Sequence, residues 1–175
     1  MGEHRSAREE YNSTGEMGHL PSSFERFFEA ERDRLYGYLA LITGNRHEAE
    51  EIAQDAFLAV WERWDRVHLL EDPTGYLHRT AINLFRKRYR RAQVLRRASA
   101  LLPRSGDAEA SDAHLLLSEA LAALTPRQRA ALVLTEMLGY SGTEAAQLLG
   151  ISSGTVAALK HQGRATLHKA EVVDD

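Results

Sequence analysis

At 175 residues the chain is long enough for one domain or two small ones, and its 43% hydrophobic and 27% charged residues describe an ordinary globular protein with modest cores. The absence of cysteine excludes disulfides, thiolate metal sites and cysteine nucleophiles. A net charge of −3 hides an uneven distribution: residues 1–72 hold eight Lys/Arg against 16 Asp/Glu, residues 73–104 nine against none, and residues 105–175 five against nine.

Residues 1–21 mix Gly, Ser, Glu and Arg without periodicity and read as a weakly ordered extension. They carry no apolar core of a secretory signal, and no apolar run in the chain nears the roughly 20 residues that span a membrane. A cytoplasmic protein without membrane insertion is expected. Ser22 and Glu25 have the spacing of a capping box ahead of an apolar series. Phe24, Phe27, Phe28, Leu35, Tyr38, Leu39 and Ile42 share one face, predicting a helix over about 23–43 that Gly44-Asn45 ends. A second helix is predicted over about 46–65, with Ala49, Ile52, Ala53, Ala56, Phe57, Val60, Trp61 and Trp64 as its core stripe. Its other face is acidic, through Glu48, Glu50, Glu51, Asp55, Glu62 and Asp65. Such a face is either a solubilising surface or a dock for a basic partner helix.

Arg66 to Asp72 reads as a loop. Asp72 is then the N-cap and Pro73 the first residue of a third helix. This helix is a cationic rail: Arg79, Arg86, Lys87, Arg88, Arg90, Arg91, Arg96, Arg97 and Arg104 follow one another with no acid between Asp72 and Asp107. Leu77, Ala81, Leu84, Phe85, Ala92 and Leu95 anchor one face of it, and Tyr76 and Tyr89 stand among the cations. A rail of this kind neutralises phosphates, and its rings can stack on unpaired bases. The bland reading is a solvated basic helix, and the lack of pairing acids favours nucleic acid.

Residues 99–112, with Pro103 and Gly106 among small polar residues, mark a linker between domains. A short helix is predicted over 113–124, and Thr125-Pro126 starts another that Gly139 stops. Ala145, Ala146, Leu149, Gly150, Ile151, Val156 and Leu159 then have helix-turn-helix spacing, with helices over about 142–149 and 153–168 and a positive φ expected at Gly150. No strand-like alternation or repeat occurs. The fold class is all-α: two small helical domains joined by a flexible linker.

The eight histidines are scattered without ligand spacing, so exposed helix histidines are expected rather than a metal site. No catalytic signature or phosphate-binding glycine loop is present, so neither an enzyme nor a cofactor is expected.

Three stretches, Asn45–Val67, Asp72–Leu84 and Leu124–Leu167, in this order and with this linker, resemble the extracytoplasmic-function class of bacterial RNA polymerase sigma factors. The resemblance implies a region 2 domain over 22–98 and a region 4 domain over 113–171. It implies that Glu51, Gln54, Asp55 and Glu62 dock on the clamp helices of the polymerase's largest subunit, with region 4 near its flap. His68, Tyr76, Arg79 and Asn83 would surround an unstacked base of the minus-ten element, while Arg86, Lys87, Tyr89, Arg90 and Arg91 hold its backbone. Arg127, Ser153, Thr155, Ala157, Ala158, Lys160, His161 and Arg164 would face the minus-thirty-five duplex. The partners so implied are core polymerase, promoter DNA and an anti-sigma factor.

Here the recognition helix reads Gly154-Thr155-Val156-Ala157-Ala158-Leu159-Lys160-His161-Gln162-Gly163-Arg164, with Ala157, Leu159 and Gln162 where the family carries cationic residues and Lys160 where it carries an apolar one. Weak duplex binding by this domain is therefore expected. Two rival readings are a stand-alone helix-turn-helix regulator and a sigma-like interaction protein without productive promoter recognition. The acidic residues before position 21 would, on composition, shield the rail.

Overall fold

The first helix, α1 (His19–Thr43), begins three residues ahead of the expected capping box, so Ser22 lies inside the helix and not at its start. Pro21 sits in its first turn, where a missing N–H is not needed for the helical ladder. The computed structural model describes residues 19–98 and 120–173, with side chains described over 24–95 and 120–169. The first 18 residues, the linker over 99–112 and the expected helix start at 113 lie outside the described residues. Every regular element in the described residues is helical.

Gly44, at φ +66°, ends α1, and the Asn45 side chain accepts from Glu48 N at 3.0 Å to open α2 (Arg46–Trp61). Ala49, Ile52, Ala53, Ala56, Phe57 and Val60 are buried against α1. The helix does not run on to residue 65 as expected. It breaks at Glu62-Arg63 and resumes as α3 (Trp64–Val67), which turns the Trp64 and Val67 side chains into the core. Trp61, expected in the core, is instead 47% exposed: it stands at the margin of the α2 stripe, with one edge on the Phe24 ring at 4.8 Å. Phe28 is likewise exposed at the end of the aromatic cluster.

Asp72 Oδ1 accepts from Gly75 N at 2.8 Å and opens α4 (Pro73–Ala98). Leu77, Ala81, Ile82 and Phe85 are buried, whereas Leu95 is 64% exposed, so the buried anchor ends at Phe85, half-way along the helix.

In the C-terminal group, Thr125 and Gln128 form the capping box of α5 (Pro126–Leu132), which continues as a π-helical turn over Val133–Met137. The turn is a feature the sequence pattern missed. Helix α6 (Gly142–Leu149) ends at Gly150, whose φ of +62° is the left-handed turn expected there, and α7 (Ser153–Val173) follows. Ala145, Ala146, Leu148 and Val156 close the small core.

The two helical groups meet through guanidiniums placed on helix ends. Arg129 of α5 is only 3% exposed; its Nε donates to Ile42 O and its Nη2 to Thr43 O, each at 3.0 Å, at the C-terminus of α1. Its Nη1 also donates to Leu124 O at 3.0 Å, so one cation stitches both groups. In the reverse direction, Arg86 of α4 donates to Leu148 O at 3.2 Å, at the C-terminus of α6. A side chain at Gly150 would collide with it, since a Cβ there would lie 2.0 Å from Arg86 Nη2. Helix C-termini carry partial negative charge, which makes them suitable seats for buried cations. The substitution Arg129→Ala is expected to destabilise the chain by roughly 2–4 kcal/mol in urea unfolding, because buried carbonyls of both groups lose a charged donor.

Candidate polymerase and nucleic-acid interface

The described cations of α4 do not form one rail: Arg79 and Lys87, Arg86 and Arg90, and Arg88 stand on three faces with different neighbours. Tyr76, Arg79, Asn83 and Lys87 line a shallow groove against Ala59 and Arg63 at the end of α2. Arg79, Asn83 and Lys87 are exposed there, with Tyr76 half-buried at one end. An aromatic ring, an amide and cations thus share one open surface, which suits an unpaired base beside its phosphates. Arg63 was not foreseen as part of it, since nothing in the sequence places the α2–α3 break beside α4. His68, expected here, is not among the groove residues; its ring packs on Trp64 and its Nδ1 lies against Trp64 O.

The second face carries Arg86, Tyr89 and Arg90 toward the helix-turn-helix group. Tyr89 is half-buried, stacked on Phe85 at 5.9 Å, and its hydroxyl accepts from Gln93 Nε2 at 2.9 Å. The third face carries Arg88 back to α2. Its guanidinium bonds Glu51 and, at 2.9 Å, Asp55 Oδ2. The hydrogen bond from Arg88 holds the Glu51 carboxyl below its ordinary range. Two of the four carboxylate and amide groups expected to meet the polymerase are thus paired inside the chain, while Gln54 and Glu62 stand exposed. Arg91 is exposed as expected.

On the recognition helix, Ser153, Thr155, Ala157, Ala158 and His161 are exposed. Its two cations before residue 169 face elsewhere: Lys160 Nζ and Arg164 Nη2 lie 2.9 and 2.7 Å from Glu136 Oε1, on the π-helical turn. The Lys160 hydrogen bond lowers the Glu136 pKa. The outward face of α7 therefore carries no acidic, lysine or arginine side chain over its first three turns.

The sigma-70 region 2 family profile matches residues 27–95, and the sigma-70, region 4 profile matches residues 114–167. The chain is 32% identical over 171 residues to the ECF RNA polymerase sigma factor SigE of Mycolicibacterium smegmatis, covering 90% of this chain and 64% of that protein's length. It is 28% identical to the RNA polymerase sigma-E factor of Streptomyces coelicolor, over 87% of this chain and 88% of that one. Among solved structures, the sigma factor RpoE from Bartonella quintana, in complex with the anti-sigma factor NepR, superposes with a TM-score of 0.70 at 21% identity, over 88% of this chain and 99% of that one. The chain belongs to the extracytoplasmic-function class of the sigma-70 family. It is an RNA polymerase sigma factor, the subunit type that directs promoter recognition.

In this sigma factor the open groove on α4 falls within the region 2 match, and α5, α6 and α7 as far as residue 167 fall within region 4. The histidine reading needs a correction at the seam between them. His78, expected to be an exposed helix histidine, is 4% exposed. Its ring meets Tyr38 edge-on at 5.0 Å, and its Nδ1 lies 3.1 Å from the Tyr140 hydroxyl. It occupies the apolar flank of α4 beside Leu77 and Ile82, one position outside the expected stripe. Among the described residues, no group of His, Asp and Glu is arranged to hold a metal ion.

Burial pushes the His78 pKa down to about 4, with nearby Arg34 acting in the same direction and Asp72 against it. The folded chain thus prefers neutral His78, whereas the unfolded chain protonates it near pH 6.5. Stability from this site is complete above pH 6.5 and is lost as pH falls toward 4. Wild-type protein is expected to lose roughly 2 kcal/mol more than His78→Gln between pH 7 and pH 4.5, read from urea midpoints at each pH.

Proposed function

We propose that this sigma factor binds core RNA polymerase through the exposed side of α2, with Gln54 and Glu62 as its free contacts and Glu51 and Asp55 shared with Arg88. It then opens promoters by holding the melted minus-ten strand in the α4 groove. The observation that carries this reading is the convergence of Tyr76, Arg79, Asn83 and Lys87 on one open surface. Holding a base outside the stack costs a few kcal/mol, which one pocket and several phosphate contacts can offset. No nucleotide hydrolysis is needed for that. Residues 22–98 serve as the polymerase and minus-ten domain, and residues 113–171 as the minus-thirty-five domain near the flap. The protein acts in the cytoplasm, where polymerase and template are.

Promoter affinity rests mainly on region 2, because Glu136 engages Lys160 and Arg164 of the recognition helix. An anti-sigma factor is the proposed regulator: the structural neighbours RpoE and CnrH were solved in complex with NepR and with the cytosolic domain of CnrY. In the arrangement seen here Arg86 is engaged by Leu148 O, so productive promoter contact requires the two helical groups to separate.

The test is transcription in vitro with purified core enzyme over a genomic template, with start sites mapped. Specific initiation supports the reading, and failure to co-purify with core enzyme overturns it in favour of a stand-alone regulator. Glu62→Arg is expected to weaken core binding at least tenfold, measured by fluorescence anisotropy, with the thermal midpoint unchanged. Asp55→Arg does the same but also releases Arg88, so its stability falls as well. Asn83→Ala should leave core binding intact while cutting open-complex formation by about tenfold, the scale of one good polar base contact. Lys160→Ala should change promoter affinity less than twofold.

A further inference from the structure

A crevice runs between the two helical groups, and its charge is one-sided. Arg86 and Arg90 from α4 and Arg127 from α5 line it, over an apolar floor that includes Phe85, Leu149 and Leu159. No acidic residue is among its lining residues. Arg90 and Arg127 have no ion pair or hydrogen bond among the described residues. Arg86 donates to Leu148 O and, at 3.3 Å, to Asn83 Oδ1, both uncharged acceptors. Elsewhere in the chain the inward-facing guanidiniums are answered: Arg88 by two carboxylates, Arg129 by helix-end carbonyls.

Three cations drawn together from two helical groups repel one another, and an apolar floor strengthens that repulsion by lowering the local dielectric. A multivalent anion between them converts the repulsion into attraction. The planar fork of a guanidinium matches the oxygens of a phosphate, and three forks on opposite walls suit linked phosphates better than a single one. We propose that this crevice binds a small compound carrying two or more linked phosphates, bridging α4 and α5. Binding holds the two helical groups together. It also occupies Arg86 and Arg90, which the sigma-factor reading assigns to promoter phosphates, so such a ligand competes with DNA. Tyr89, on the crevice wall and stacked on Phe85, offers a ring for a ligand that also carries a base.

Two sources share this chemistry, inorganic pyrophosphate and a nucleoside triphosphate, and titration calorimetry on the full chain separates them. Pyrophosphate and GTP are each titrated, with orthophosphate as the charge control, and thermal midpoints are recorded alongside. Saturable one-to-one binding is expected, with a raised midpoint and at least tenfold weaker binding in both Arg127→Ala and Arg90→Ala. Arg26→Ala, an exposed cation on α1 outside the crevice, should bind as the wild type does. Equal affinity for the two ligands assigns the site to the diphosphate itself; tighter GTP binding that Tyr89→Ala abolishes assigns it to a nucleotide. The absence of binding by either ligand, or binding that Arg127→Ala leaves intact, overturns the proposal and leaves the crevice cations to the DNA backbone. Neither polymerase nor promoter enters this measurement, so it stands apart from the test of sigma activity.

Discussion

Arg129 sends its guanidinium into the carbonyl end of α1, and the arrangement of the whole chain follows from that seat. An isolated buried cation costs several kcal/mol, so it persists only where fixed dipoles meet it. Ile42 O and Thr43 O supply those dipoles from one group of helices and Leu124 O from the other. The left-handed turn at Gly44 keeps the approach open, for a Cβ there would sit 3.0 Å from Arg129 Nη2. Arg86 repeats the device in the opposite direction on α6, again beside a glycine of positive φ. Two cations exchanged between helix ends thus fix how region 2 faces region 4.

That facing redistributes the charge of α4. A helix with no acid of its own looks like a uniform cationic surface, yet its side chains serve three purposes. One row stays open beside α2, one is turned to the helix-turn-helix group, and Arg88 neutralises carboxylates on α2. The first row, with Tyr76 and Asn83 among its cations, is the one proposed to hold a melted strand. The acidic face of α2 is divided in the same way, part of it answered by Arg88 and part left at the surface. Arg88 therefore ties the side of α2 proposed to dock on polymerase to the helix that carries the proposed template groove.

Region 4 shows the same economy of charge. Glu136 stands on the π-helical turn and takes both Lys160 and Arg164, leaving the outward side of the recognition helix to small and polar groups. Duplex affinity scales with the phosphates neutralised, so a recognition helix whose first two cations are paired with Glu136 is expected to contribute shape and hydrogen bonds more than affinity. On the proposed function, promoter binding then rests mainly on region 2.

Local signals were legible in the amino-acid order. The caps at Asn45, Asp72 and Thr125, the turns at Gly44 and Gly150, and the periodic stripes of α2, α4 and α6 each depend on residues three or four apart, and the family motifs lie on them. The all-α class and the helix-turn-helix followed from these, whereas Tyr76, Arg79 and Asn83 came from the family resemblance and Arg63 was not foreseen. Tertiary structure alone decided which guanidinium meets a carboxylate, a carbonyl or open solvent, why Trp61 stays at the surface, and why His78 is buried. Arg86 finds Leu148 across 62 residues and Arg129 finds Ile42 across 87. Identical side chains on one helix are equivalent to any local pattern, and only the distant surface packed against each of them makes them differ.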